Sequence, residues 1–211
     1  SSSNRLGLIF YRYSFIYDTI VQLCVIISLE NYTIFTSFYM HFNDTFFMQA
    51  AYKQAVCAYN QNEVPIGAVI VSPEGDIVSA AHNKVEQTNN PFAHAEMLAI
   101  ESAATSIGDW RLPGYSIYVT LEPCALCMQA IIRSRISTLV FATRSMVYGF
   151  SLDTCTTFQL YKIPITIREG IEQQLAMDLL KKFFQEKRRN INGQKRKESI
   201  NETKRDSKDF T

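Results

Sequence analysis

Two short runs constrain this 211-residue chain more than anything else in it, His94-Ala95-Glu96 and Pro123-Cys124-Ala125-Leu126-Cys127. The stretch between them is long enough for one helix and one strand, so the chain can leave and return to the same place. Together the runs supply one imidazole, two thiols and one carboxylate. Zinc prefers nitrogen and sulfur donors in a tetrahedron, and three protein ligands leave its fourth position open. At an open position the pKa of water falls to about 7, which makes a nucleophile available near neutral pH. Glu96, two residues from His94, is then the natural proton carrier. The alternatives for a Cys-x-x-Cys pair are a structural zinc clip and a redox couple. A structural site wants a fourth protein ligand, and Cys24, Cys57, Cys155, His41 and His82 lie at no spacing that makes one of them the partner.

Five cysteines at irregular spacing, two of them assigned to the metal, do not form a disulfide framework and point to a reducing compartment. With 47% hydrophobic and 19% charged residues, the chain suits one globular domain with ragged ends. The net charge of +1 conceals an asymmetry. Residues 181–211 carry eleven basic against five acidic side chains, net +6, which leaves −5 for the rest. Beyond Asn190 this end reads as a basic, unstructured tail, whereas Lys187 to Arg189 at the end of a predicted helix suit a phosphate-contacting patch.

Residues 1–39 are rich in Ile, Phe, Tyr and Ser and contain no Met, the first being Met40. They read as a non-native or disordered extension. An organellar transit peptide is the alternative, and a signal peptide lacks a convincing cleavage site. The apolar run Ile20 to Leu29 is too short for a membrane span. The expected domain therefore covers residues 40–190.

Within it, Phe47, Ala50, Ala51, Ala55 and Ala58 recur at helical spacing over Phe46 to Tyr59. Pro65 to Val71 is a nearly continuous apolar strand, as when both faces are covered. Ser72 to Asp76 turns into a second strand, Ile77 to Ala81. A helix follows from about Ala93 to Ala104, then a strand Tyr115 to Leu121, a helix 123–133, strands Ser137 to Phe141 and Ile163 to Ile167, and a long helix from Glu169 to Arg189. His94 and Cys124 thus stand at two helix starts, where unpaired N–H groups and the helix dipole favour thiolate. The order predicts an α/β fold with a mixed, roughly five-stranded sheet covered by helices on both faces.

His-x-Glu followed by Pro-Cys-x-x-Cys is the zinc-deaminase pattern. Further ordered runs extend the match: Asn62-Glu63-Val64-Pro65-Ile66-Gly67-Ala68-Val69, Ala81-His82-Asn83-Lys84, Tyr118-Val119-Thr120-Leu121-Glu122 and Ile132-Arg133-Ser134-Arg135-Ile136. From about Phe46 to Arg189 the chain resembles the bacterial-type tRNA-specific adenosine deaminases of the cytidine-deaminase-like superfamily. The resemblance implies a three-layer α/β/α sandwich, a cytoplasmic homodimer with one zinc ion per subunit, and conversion of adenosine to inosine at the wobble position of a tRNA anticodon arm.

By motif match, His94, Cys124 and Cys127 hold zinc, and Glu96 moves protons between water, the ring nitrogen and departing ammonia. Asn83 resembles the base-contacting asparagine, although an Asn capping a turn after a strand reads the same way. Phe184, Lys187 and Arg188 resemble the family's RNA-contacting helix end. One departure stands out: relatives commonly read Phe-Gly-Ala-x-Asp where this chain reads Phe141-Ala142-Thr143-Arg144-Ser145. Ser145 can still bond a sugar hydroxyl but lacks the charge that bears on RNA-versus-DNA discrimination, and Arg144 is retained for the backbone. Two rival functions share much of this sequence, a deaminase of free nucleobases or nucleosides and a non-catalytic RNA-binding subunit.

Overall fold

A computed structural model describes residues 32–152 and 165–206, and the side chains of residues 44–152 and 165–192. Cys24, Cys155 and the first residues of the expected strand at Ile163 lie outside them, as does most of the 1–39 segment. The compact unit that carries the sheet begins at Asp44.

Five strands, β1 (Gly67–Val71), β2 (Ile77–His82), β3 (Ser116–Leu121), β4 (Thr138–Thr143) and β5 (Thr166–Glu169), form one mixed sheet in the order β2-β1-β3-β4-β5. β1 is antiparallel to both β2 and β3, while β3, β4 and β5 run parallel. The longer helices among the described residues are α1 (Tyr32–Asn60), α2 (Ala95–Ile107), α3 (Ala125–Arg133) and α4 (Gln173–Asp206).

Strand side chains alternate between the two faces of a sheet, so one strand feeds two cores. Ala68 and Ile70 of β1, Ile117 and Val119 of β3, and Leu139 and Phe141 of β4 pack under Ala95, Ala99 and Ala103 of α2 and Met128, Ile131 and Ile132 of α3. Their neighbours Val69, Val71, Tyr118, Val140 and Ala142 point the other way, onto Phe47, Met48 and Ala51 of α1 and Ala176 of α4. The result is the expected α/β/α sandwich. Small residues let α1 approach closely: a Cβ on Gly67 would lie 2.5 Å from the backbone nitrogen of Ala55.

Asp44 ties three elements together. Its carboxylate accepts from Tyr118 Oη of β3 at 2.7 Å and from Arg168 Nε and Nη2 of β5 at 2.8 Å each. Burial, with the Asp44 hydrogen bond added, pushes the Tyr118 hydroxyl above its ordinary pKa.

Several boundaries differ from expectation. α1 starts at Tyr32 rather than near Phe46. α4 starts later, because Glu169 belongs to β5 and Gly170, at φ 89°, turns the chain through a left-handed conformation that favours glycine. The backbone of α4 continues past Asn190 to Asp206, where the sequence suggests an unstructured tail. Residues 194–206 contain no Pro or Gly and are rich in Lys, Arg, Gln and Glu, all good helix formers.

Candidate active site

β3 and α2 carry the two halves of the site to the end of the sheet at which β3 finishes. His94 is the residue that caps α2, with extended φ −74° and ψ 151°, and Cys124 caps α3 in the same way at φ −71° and ψ 169°. Both therefore lie one position outside the helices expected to contain them. An extended capping residue aims its side chain across the helix end, which is where the two ends meet.

His94 Nδ1 lies 3.3 Å from Cys127 Sγ and 3.8 Å from Cys124 Sγ, and all three atoms fall within 4.8 Å of one another. A tetrahedron with zinc–ligand bonds of about 2.0 to 2.3 Å has N to S edges of about 3.6 Å. The donor set and its spacing thus fit zinc through three protein ligands. No other residue joins this group among the described residues. His82 is occupied instead by Gln54 and Gln61, and Cys57 is exposed.

In the metal-free cluster one proton is contested. The hydrogen bond from Cys127, assisted by His94, holds the Cys124 thiol down to about 4, and the same contact together with burial pushes Cys127 up. The bond to Cys124 also raises His94 above the usual imidazole value. Such a thiolate between two helix N-termini is ready for a cation.

Glu96 sits in the first turn of α2 and is fully buried beside these ligands. Burial raises its carboxyl above the ordinary range, and Oε2 has no hydrogen-bond partner among the described residues. Asn83, 5% exposed, lies just past β2, and its Oδ1 accepts from the backbone N–H of Ala95 at 2.9 Å. That bond satisfies one of the orphan donors at the start of α2. It also commits the amide oxygen to the helix and leaves Nδ2 without a partner among the described residues.

The remaining candidates gather less tightly. Arg144 and Ser145 follow β4 beside the cluster, and Arg144 is paired with Glu169 at 2.8 Å on the surface. The Ser145 hydroxyl oxygen accepts from Tyr148 N–H at 3.1 Å, so it caps a turn. Phe184, Lys187 and Arg188 lie on α4, in the opposite helical layer, with no bond to the metal ligands. There Phe183 packs on Tyr59 of α1, Lys187 Nζ stands 5.2 Å above the Phe183 ring, and Phe184 and Arg188 are exposed.

Residues 42–143 match the cytidine and deoxycytidylate deaminase zinc-binding region. The chain is 38% identical over 151 residues to the tRNA-specific adenosine deaminase of Aquifex aeolicus (strain VF5), an alignment that covers 69% of this chain and 97% of that protein. This chain belongs to the tRNA-specific adenosine deaminase family. The family member from Bacillus subtilis (strain 168) is 37% identical over 148 residues, covering 69% of this chain and 91% of its own. A solved structure from studies of A-to-I editing by tRNA:A34 deaminases at the wobble position of transfer RNA aligns with a TM-score of 0.61 at 33% identity. That alignment covers 64% of this chain and 99% of the other.

Against this family background, sequence reasoning passed over one residue of the site. Glu122 is buried directly before the Pro-Cys turn and bonds to the segment after β4. A Glu at a strand end has no distinctive spacing, so only its partners, more than twenty residues away, reveal it.

Proposed function

We propose that this protein is a zinc-dependent hydrolase that converts adenosine to inosine at the wobble position of tRNA. The observation that carries the proposal is the pairing of a three-ligand His94–Cys124–Cys127 cluster with a buried Glu96 whose Oε2 has no partner among the described residues. A structural metal site has no use for that carboxylate.

His94, Cys124 and Cys127 hold the zinc ion, with one ion per subunit. Zinc bound there supplies Lewis acidity, bringing water within reach of deprotonation near neutral pH. Glu96 accepts a proton from water and delivers protons to the ring nitrogen and the departing ammonia. Its burial supports this role, because a carboxyl held above its ordinary pKa can release a proton as well as take one. Asn83 orients the extruded base. With Oδ1 held by Ala95, its Nδ2 is a fixed donor for an acceptor on the purine edge.

RNA contacts are assigned to Arg144, Ser145, Phe184, Lys187 and Arg188. The exposed Arg144–Glu169 pair is worth at most about 1 kcal/mol, so a phosphate can displace Glu169. Exposed Phe184 offers a stacking face, and the basic end of α4 offers backbone neutralisation. The catalytic domain spans residues 40–190, and the protein acts as a cytoplasmic homodimer without membrane association. Among the described residues no helix is long and apolar enough to cross a membrane.

The deciding experiment measures inosine formation on an anticodon stem-loop with a wobble adenosine, comparing wild type with Glu96→Ala and running free nucleosides in parallel. Turnover of the stem-loop by wild type only is expected. Strong activity confined to free nucleosides would make this a nucleoside deaminase. Stem-loop binding with no deamination by either protein would make it a binding subunit.

A further inference from the structure

The segment that follows β4 has no regular hydrogen-bond ladder of its own, yet it is closed down beside the metal cluster. Its attachment runs through Glu122. One carboxylate oxygen of this side chain accepts the backbone N–H of Ser145 at 3.0 Å, and the other accepts that of Ser151 at 2.9 Å. Glu122 is 3% exposed, so these two bonds are its means of satisfying a buried carboxylate.

Between the two anchored amides the chain passes directly over the carboxylate at Gly149. A Cβ there would lie 2.5 Å from the Glu122 carboxyl carbon and 2.8 Å from Oε1, closer than any side chain can sit. Gly149 also bridges to Cys124, and Phe150 N–H donates to the Pro123 carbonyl at 2.9 Å. The segment is therefore laid against the turn that presents a metal ligand. At its crest Met146, Val147 and Tyr148 are 86%, 69% and 77% exposed. Three successive large apolar side chains left in water beside a reaction centre suit a surface on which unstacked nucleobases rest.

We propose that Glu122 is a positioning residue for the RNA substrate. Its carboxylate, closed over Gly149, holds residues 145–152 against the Pro123–Cys124 turn, so that Met146, Val147 and Tyr148 form the rim that receives single-stranded nucleotides flanking the target base. Glu122 itself touches neither the base nor the metal ligands' donor atoms. This inference rests on the RNA-deaminase function proposed above.

The test uses zinc-loaded full-length protein and the anticodon stem-loop. Glu122→Gln keeps the shape but offers one acceptor to two facing N–H groups, and Gly149→Ala presses a methyl group into the carboxylate from the loop side, which serves should the buried Glu122 variant fold poorly. Each is expected to raise KM by about tenfold or more while kcat changes by less than about threefold. Zinc should remain at one per chain, and amide exchange at Ser145 and Ser151 should accelerate. The double variant should be no worse than the weaker-binding single one, since both break one contact. Tyr148→Ala should raise KM with amide exchange unchanged.

Faster exchange with KM unaltered would sink the inference, showing a loop that RNA ignores. A fall in kcat at constant KM would also overturn it, by moving Glu122 into the chemistry. Failure of the underlying function is distinguishable from both, because wild type itself would then leave the stem-loop adenosine intact.

Discussion

Asn83 Oδ1 and the backbone N–H of Ala95 form a 2.9 Å hydrogen bond that joins the residue after β2 to the start of the metal-binding helix. The same side chain thus has a structural half and a free half. Asn83→Asp keeps the acceptor and removes the Nδ2 donor, so it should fold and bind zinc normally while kcat/KM falls about 10- to 100-fold, the worth of one hydrogen bond to substrate. Asn83→Ala loses both halves and should in addition destabilise the protein by about 1 kcal/mol. Paired melting and kinetic measurements separate the two contributions.

Glu96→Gln preserves shape and removes the proton carrier. Deamination should fall by at least about 10²-fold, with zinc content unchanged by atomic absorption.

The same substitution has a pH signature in the metal-free protein. Burial raises the folded-state pKa of Glu96, so the folded chain holds that proton more tightly than the unfolded chain. The stability this contributes is complete below the unfolded value of about 4.3 and is lost as pH rises through the folded one. The stability of Glu96→Gln relative to wild type should therefore increase with pH over that window, as read by denaturant titration. A difference constant with pH would contradict the burial argument.

Zinc should displace protons when it binds. At pH 6, Cys124, held down to about 4, is already thiolate, whereas His94 and Cys127 are both shifted upward and carry their protons. Calorimetry in buffers of different ionisation enthalpy should therefore report release of about two protons per ion, and affinity should weaken on acidification. In the metal-free protein Cys124 should be alkylated at pH 6, at which an ordinary thiol is almost unreactive, and zinc should protect it.

Asp44 offers a stability test remote from the chemistry. Its buried carboxylate satisfies Tyr118 and Arg168 at once, so Asp44→Ala strands the partly buried Arg168 guanidinium and the Tyr118 hydroxyl. A loss of about 3 to 5 kcal/mol is expected, measured by urea unfolding of the zinc-loaded protein. Arg144→Ala, which breaks only the exposed pair with Glu169, should cost less than about 1 kcal/mol.

What the sequence determined by itself is whatever depends on local order. Alternating side chains in β1, β3 and β4 divide into the two cores because a strand has period two. The helical repeat of Phe47, Ala51, Ala55 and Ala58 marks the buried stripe of α1, and the spacing of Cys124 and Cys127 places two thiols on one helix turn. His94 and Glu96 were legible for the same reason. Tertiary structure alone decided how these pieces meet: that the amide oxygen of Asn83 faces Ala95, that Arg144 is taken by Glu169, that Asp44 reaches across to Arg168, and that Glu122 closes over Gly149. Each of these joins residues that separate strands and helices bring together. Their approach is set by sheet register, by layer packing and by the need to satisfy a buried polar atom, and none of the three leaves a periodic trace in the chain.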